Sequence, residues 1–150
     1  MSDGPGFTYE DDPAEPGWKR WQFRDATRYN AVLEPIWVRV EDGAAVVRMV
    51  PRHEHSNMRD VVHGGALLGF MDVALFAGSR GLGVLTAGGA STIDLSAQFV
   101  DGAQVGTALE ARVELLRETG RLLFLRGLVT QEGRVIASFA GTVRKPSTTK

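Results

Sequence analysis

From His63 to Arg80 the chain reads HGGALLGFMDVALFAGSR, and between those two residues Asp72 is the only charge in sixteen positions. A run this apolar, with a Gly-rich exit over residues 78–89, reads as one helix from about Gly64 to Ser79. It carries apolar residues on nearly every side and must therefore be covered all round. A single curved sheet does that only by wrapping the helix, or by leaving the remaining gap to a second subunit. An ionised carboxylate inside such a helix is costly unless it is paired or used. Asp72 is the first candidate functional residue on those grounds.

The flanking sequence supplies the sheet. Ile36 to Glu41 and Ala44 to Val50 read as two strands about Glu41-Asp42-Gly43, a hairpin turn. The polar stretch PRHEHSNMRD, residues 51–60, leads into the helix. Beyond the helix, Ser91 to Val100 alternates, with Ile93, Leu95, Ala97 and Phe99 on one face and Thr92, Asp94, Ser96 and Gln98 on the other. Thr107 to Arg117, Leu122 to Gln131 and Val135 to Arg144 follow, separated by Glu118-Thr119-Gly120 and Glu132-Gly133. This spacing of turn signals predicts an antiparallel meander. The fold class is α+β, one long helix with about five or six strands, in a domain over residues 36–145. Residues 1–17 are acidic and rich in Pro and Gly, which predicts a flexible tail. Residues 18–35 bring Trp18, Trp21, Phe23, Tyr29, Val32 and Leu33 at roughly helical spacing, and read as a helical segment docked on the body or on a partner subunit.

Composition narrows the function. A net charge of -1 creates no field that would recruit nucleic acid or an anionic membrane. The absence of cysteine excludes a Cys nucleophile, thiolate metal sites and disulfides. The first residues lack the apolar stretch of a signal peptide, so the expected location is cytoplasmic. With 150 residues, one core and one domain are expected.

The polar residues around the helix suit a carbonyl substrate. Gly64 and Gly65 at a helix start permit close backbone approach and leave N–H groups unpaired. The helix dipole adds partial positive charge there. Asn57 lies six residues before His63, and Asp72 nine after it. Gly64 and Asp72, eight residues apart, are separated by roughly 12 Å along one helix. If both act on one carbonyl, Asp72 must come from a second, antiparallel helix, and the site is shared between subunits. Each residue also has a plain structural reading: a bonded core acid, tight packing at the glycines, a turn at Asn57. His53 and His55, with Glu54, Asn57, Asp60 and His63 nearby, raise the question of zinc, but the pair alone is too small a ligand set and exposed loop histidines fit better. Arg52, Arg59, Arg80, Arg117 and Arg121 fall in loops or at strand ends, where guanidinium groups can meet phosphate. Leu68, Met71, Phe76 and the aromatic N-terminal segment are candidates for an apolar pocket.

Taken together, Asn57, His63-Gly64-Gly65, Asp72, Thr92-Ile93-Asp94 and Phe139-Ala140-Gly141-Thr142 resemble the hotdog-fold thioesterases, and most nearly the phenylacetate-pathway (PaaI-like) branch. The resemblance covers roughly Ile36 to Arg144 and rests on the joint spacing. It implies a curved antiparallel sheet wrapped around the helix, subunits paired side by side as a dimer or dimer of dimers, and hydrolysis of an acyl-CoA or aryl-CoA thioester to free acid and CoA. In that family pattern Asn57 and the Gly64 N–H hold the thioester carbonyl. Asp72 of the other subunit is general base or nucleophile, Thr92 positions water, and His63 orients the loop. Gly65, Arg117 and Arg121 are the candidates for contacting coenzyme A, and no metal or separate cofactor is called for. Two departures stand out: Asp60 where the family usually has Gly, and Gly102 where it often has Pro. The competing readings are a hotdog hydratase or dehydratase, and an acyl-CoA-binding sensor without turnover.

Overall fold

The computed structural model describes residues 6–86 and 89–146. In chain order the elements are β1 (Phe7–Asp11), β2 (Lys19–Phe23), a 3-10 turn (Tyr29–Val32), β3 (Ile36–Glu41), β4 (Ala44–Met49), a 3-10 turn (His53–His55), α1 (Gly64–Gly81), β5 (Ser91–Phe99), β6 (Leu109–Glu118), β7 (Leu122–Gln131) and β8 (Arg134–Arg144). All eight strands form one antiparallel sheet in the order β1-β2-β3-β4-β6-β7-β8-β5. The helix lies against it, with Phe70, Met71, Ala74, Leu75 and Ala77 fully buried. Leu68 is the exception, at 41% exposed. Among the described residues no helix is long and apolar enough to cross a membrane.

Two hairpin turns sit where the sequence places them. Asp42 and Gly43 both have positive φ (51° and 77°), as do Glu132 and Gly133 (51° and 80°). Each pair links strands through a two-residue loop that matches the strand twist. The strands β6, β7 and β8 form the expected meander, but β5 does not lie beside β6. It crosses to pair with β8 and so occupies the sheet edge.

The N-terminal expectations need correcting. Phe7–Asp11 is a strand rather than part of a flexible tail, although residues 1–5 lie outside the described residues. Residues 18–35 hold β2 and a single 3-10 turn, not a helical segment. The edge of β3 offers unpaired backbone groups, and β2 takes them through Trp21↔Ile36, Arg20↔Trp37 and Lys19↔Val38. The alternation Lys19, Trp21, Phe23 is the strand period, which the i, i+3 spacing of Trp18 and Trp21 obscures. Two extra strands bring the count to eight.

Specific contacts lock this hairpin to the body. Trp37 Nε1 donates to Asp12 Oδ2 at 2.8 Å, Phe23 N donates to Glu34 Oε2 at 2.9 Å, and the Arg80 guanidinium lies 4.9 Å from the Tyr9 ring centre. The Trp37 indole N–H, then the Ala14 backbone N–H and the charge of Arg20, hold the Asp12 carboxyl below its ordinary range. A lowered folded value means that this contribution is complete above the unfolded pKa of about 3.9 and is lost as pH falls through the lowered value. Tryptophan emission should therefore stay constant from neutrality down to about pH 4 and shift below it. The same titration of Asp12→Asn should lack that step.

Candidate active site

At its N-terminus the helix is capped by His63. Its Nδ1 accepts the Gly65 N–H at 2.8 Å, and its carbonyl accepts the N–H groups of Ala66 and Leu67 at 2.9 and 3.0 Å. The Gly64 N–H is left without an acceptor among the described residues, at the positive end of the dipole. Gly64 is exposed, and a Cβ there would meet nothing within 4 Å. A Cβ at Gly65 would stand 3.0 Å from His63 Nδ1. Gly65 thus serves the cap, and its N–H is not free for coenzyme A as the sequence reading supposed.

Asn57 begins the loop that leads to this cap. Its Oδ1 accepts from Arg59 N at 2.8 Å and from Val61 N at 3.4 Å, which leaves its amide NH₂ as the available donor. Asp60 has φ of 61°, the left-handed region that Gly adopts freely and Asp tolerates. The departure from the usual Gly therefore has a backbone explanation: the turn is kept and its residue exchanged. The loop is anchored through the bridges Ser56↔Val62 and Val61↔Gln104 and by Val62 N donating to Ala103 O at 2.9 Å. Gln131, 1% exposed, fixes the far side. Its Oε1 accepts from Gln104 N at 2.8 Å, and its Nε2 donates to the Gln104 and Thr107 carbonyls, both at 2.9 Å. The sequence reading missed Gln131, because a Gln beside a hairpin turn looks like a surface residue.

Eight residues further along the helix, Asp72 is half-buried, and its Oδ1 accepts from Thr92 Oγ1 at 2.6 Å. Strict alternation would put Thr92 on the opposite face from Leu95. A bulge in β5 intervenes: Thr92 pairs with Val143 and Asp94 with Thr142, so that Ile93 is an extra residue. Val143 and Gly141 share the helix side of β8, and Thr92 and Leu95 pair with them there. The bulge is what turns Thr92 toward Asp72.

Beside these two residues opens a pocket of about 650 Å³. Val73 and Phe76 from the helix and Phe7, Trp21 and Phe23 from the N-terminal hairpin give it apolar walls, and Arg24, Asp25, Arg28 and Asn30 give it a polar side. Of the other residues considered for such a pocket, Met71 is fully buried in the core and Leu68 does not line it.

The remaining candidates separate clearly. His55 is 2% exposed, with Nδ1 accepting from Arg52 N at 2.8 Å and Nε2 2.6 Å from the Val32 carbonyl. Both ring nitrogens are thereby engaged in holding the loop. Arg52 ties down the Glu34 and Val32 carbonyls, and Arg80 covers Tyr9. Arg117 is exposed on β6 and does not line the Asp72 pocket. Arg121 lines a second cavity of about 450 Å³ at the β6–β7 turn, together with Ile93, Thr119 and Arg144. Neither guanidinium there has a hydrogen-bond or ion-pair partner among the described residues. Arg144, on the last strand, was not among the sequence candidates.

A capped helix with an open N–H, an Asx turn presenting an amide, and an acid–threonine pair in an apolar pocket agree with what comparison with known proteins finds. The family model of the Thioesterase superfamily matches residues 60–138, and the chain belongs to that family. Among solved structures it is similar to an Asn-to-Asp variant of the phenylacetic acid degradation protein PaaI from Thermus thermophilus. That match has 27% identity and a TM-score of 0.63, covering 77% of this chain and 96% of that one. It is also similar to the TT0310 protein of Thermus thermophilus, at 28% identity and a TM-score of 0.61, covering 82% of this chain and 99% of that one. With these relatives the sheet wrapped on one long helix is the hotdog fold, of the PaaI-like type. Among curated proteins it is 28% identical over 98 residues to the Caenorhabditis elegans candidate esterase F42H10.6. That match takes in 64% of this chain, and the chain spans 56% of that relative's length.

Proposed function

We propose that the protein is an acyl-CoA thioesterase, hydrolysing an acyl or aryl thioester of coenzyme A with water activated by Asp72. The observation that carries this reading is the Thr92–Asp72 hydrogen bond at the edge of an apolar pocket, in a chain of the Thioesterase superfamily. The Asn57 amide and the Gly64 N–H polarise the thioester oxygen and stabilise the oxyanion as it forms. Water held near Thr92 gives its proton to Asp72 as its oxygen adds to the carbonyl carbon. Collapse of the adduct breaks the C–S bond, the thiolate takes up a proton, and acid and CoA leave.

Asp72 and Gly64 lie eight residues apart on one helix, about 12 Å at 1.5 Å per residue, so the oxyanion donors for one Asp72 come from a second subunit. The β5 edge supports such pairing. Ile93, Phe99 and Val100 are each more than half exposed there, and an uncovered apolar edge strand invites a partner strand. Arg121 and Arg144, beside Ile93 and without partners among the described residues, are suited to the coenzyme A phosphates, with Arg117 on the neighbouring strand.

Thiol release from a panel of aryl- and alkyl-CoA thioesters tests the reading. Turnover of at least one class is expected. Stabilisation by acyl-CoA without thiol release would establish the sensor instead.

A further inference from the structure

On the thioesterase reading of the Asp72 pocket, we infer that the N-terminal hairpin is its specificity element, with Phe23 and Phe7 as the wall that limits the length of the acyl group. Three observations meet here. The pocket has its reacting end at Asp72 and Thr92, and hairpin residues line the same space. Those residues form an aromatic cluster, with Phe7 and Trp21 ring centres 5.5 Å apart and Trp21 and Phe23 5.7 Å apart. Rings packed on one another cannot move aside for a longer chain at low cost. The hairpin that carries these rings is also held from outside the pocket, by Glu34 on the Phe23 backbone, Asp12 on Trp37 and Arg80 on Tyr9.

The hairpin lies outside the residues 60–138 that match the family model. The two Thermus thermophilus structures are matched over nearly their whole length, yet about a fifth of this chain has no counterpart in them. A wall built from residues outside that match can change the acyl group accepted while leaving Asp72, Thr92, Asn57 and Gly64 in place. A role confined to covering the β3 edge would instead affect every substrate alike.

The test compares straight-chain acyl-CoA thioesters of increasing length, with a benzoyl thioester, on the wild type, Phe23→Leu and Phe23→Ala. A buried methylene is worth roughly fourfold in binding, and Phe→Ala frees space for several. The ratio of kcat/KM for long over short chains should rise at least ~10-fold in Phe23→Ala, with Phe23→Leu between it and the wild type. The same series is measured as binding to proteins that also carry Asp72→Asn, which reads the pocket without the chemistry. A length preference that moves in binding supports the wall even if no thioester is hydrolysed, and in that case only the hydrolase reading fails. Hydrolysis with a proportional fall, or no change, across all lengths in both variants would overturn the wall while the hydrolase reading stands. Phe23→Leu, with retained melting temperature, keeps the test decisive if Phe23→Ala folds poorly.

Discussion

Thiol release by Asp72→Asn should fall at least ~10²-fold at saturating substrate, with little change in KM. The substitution is nearly isosteric, and the amide oxygen can still accept from Thr92 Oγ1, which now bonds Asp72 Oδ1 at 2.6 Å. Pocket walls and substrate contacts therefore survive. What disappears is a group able to take the proton from water, a loss felt in the transition state and not in ground-state binding. A melting temperature at or above that of the wild type would separate this from unfolding, because a half-buried charge is removed without leaving a cavity. Wild-type turnover in Asp72→Asn would make the acid a structural residue and would remove the basis of the mechanism.

How far such a site could be read without coordinates depends on the range of the interactions involved. The helix and the two positive-φ hairpin turns are local, set by residues within a few positions of each other. They follow from the sequence pattern. So does the choice of Asp72, since a single charge in an apolar run stands out wherever it sits. Thr92 was selected through the family resemblance, while the alternation of Ser91 to Val100 put Asp94 and Ser96 on the same face as competitors for its place. The Ile93 bulge resolves that conflict, and a bulge depends on the register with β8, more than forty residues away. The same holds for β2, which is a strand because β3 has an open edge. Gln131 and Arg144 were missed for a related reason. Their roles depend on which loop or turn lies opposite, the Gln104–Thr107 segment for one and the Arg121 turn for the other.

Mixing two inactive proteins should restore activity if one site is assembled from two chains. Asp72→Asn retains Asn57 and the Gly64 N–H, whereas Asn57→Ala retains Asp72 and Thr92. Each homodimer is defective in both of its sites. A mixed dimer pairs the intact Asp72 of one chain with the intact Asn57 of the other, giving one complete site and one doubly defective site. Random exchange makes about half the dimers mixed, so turnover should recover to about a quarter of the wild-type value. The rise is far larger than any change expected from the separate proteins, and its time course should follow subunit exchange. Asn57 also shapes its own loop through Arg59 N and Val61 N, so Asn57→Asp is the companion variant: it keeps the Oδ1 acceptor of that turn and removes the amide donor. Recovery with both partners would assign the amide, and not the turn, to the thioester oxygen. Activity that stays at the sum of the two parents, in a mixture shown to exchange subunits, would place the whole reaction within one chain. Because one carbonyl carbon cannot bridge the roughly 12 Å between Gly64 and Asp72 of the same helix, that result would remove the Gly64 N–H from the site of Asp72.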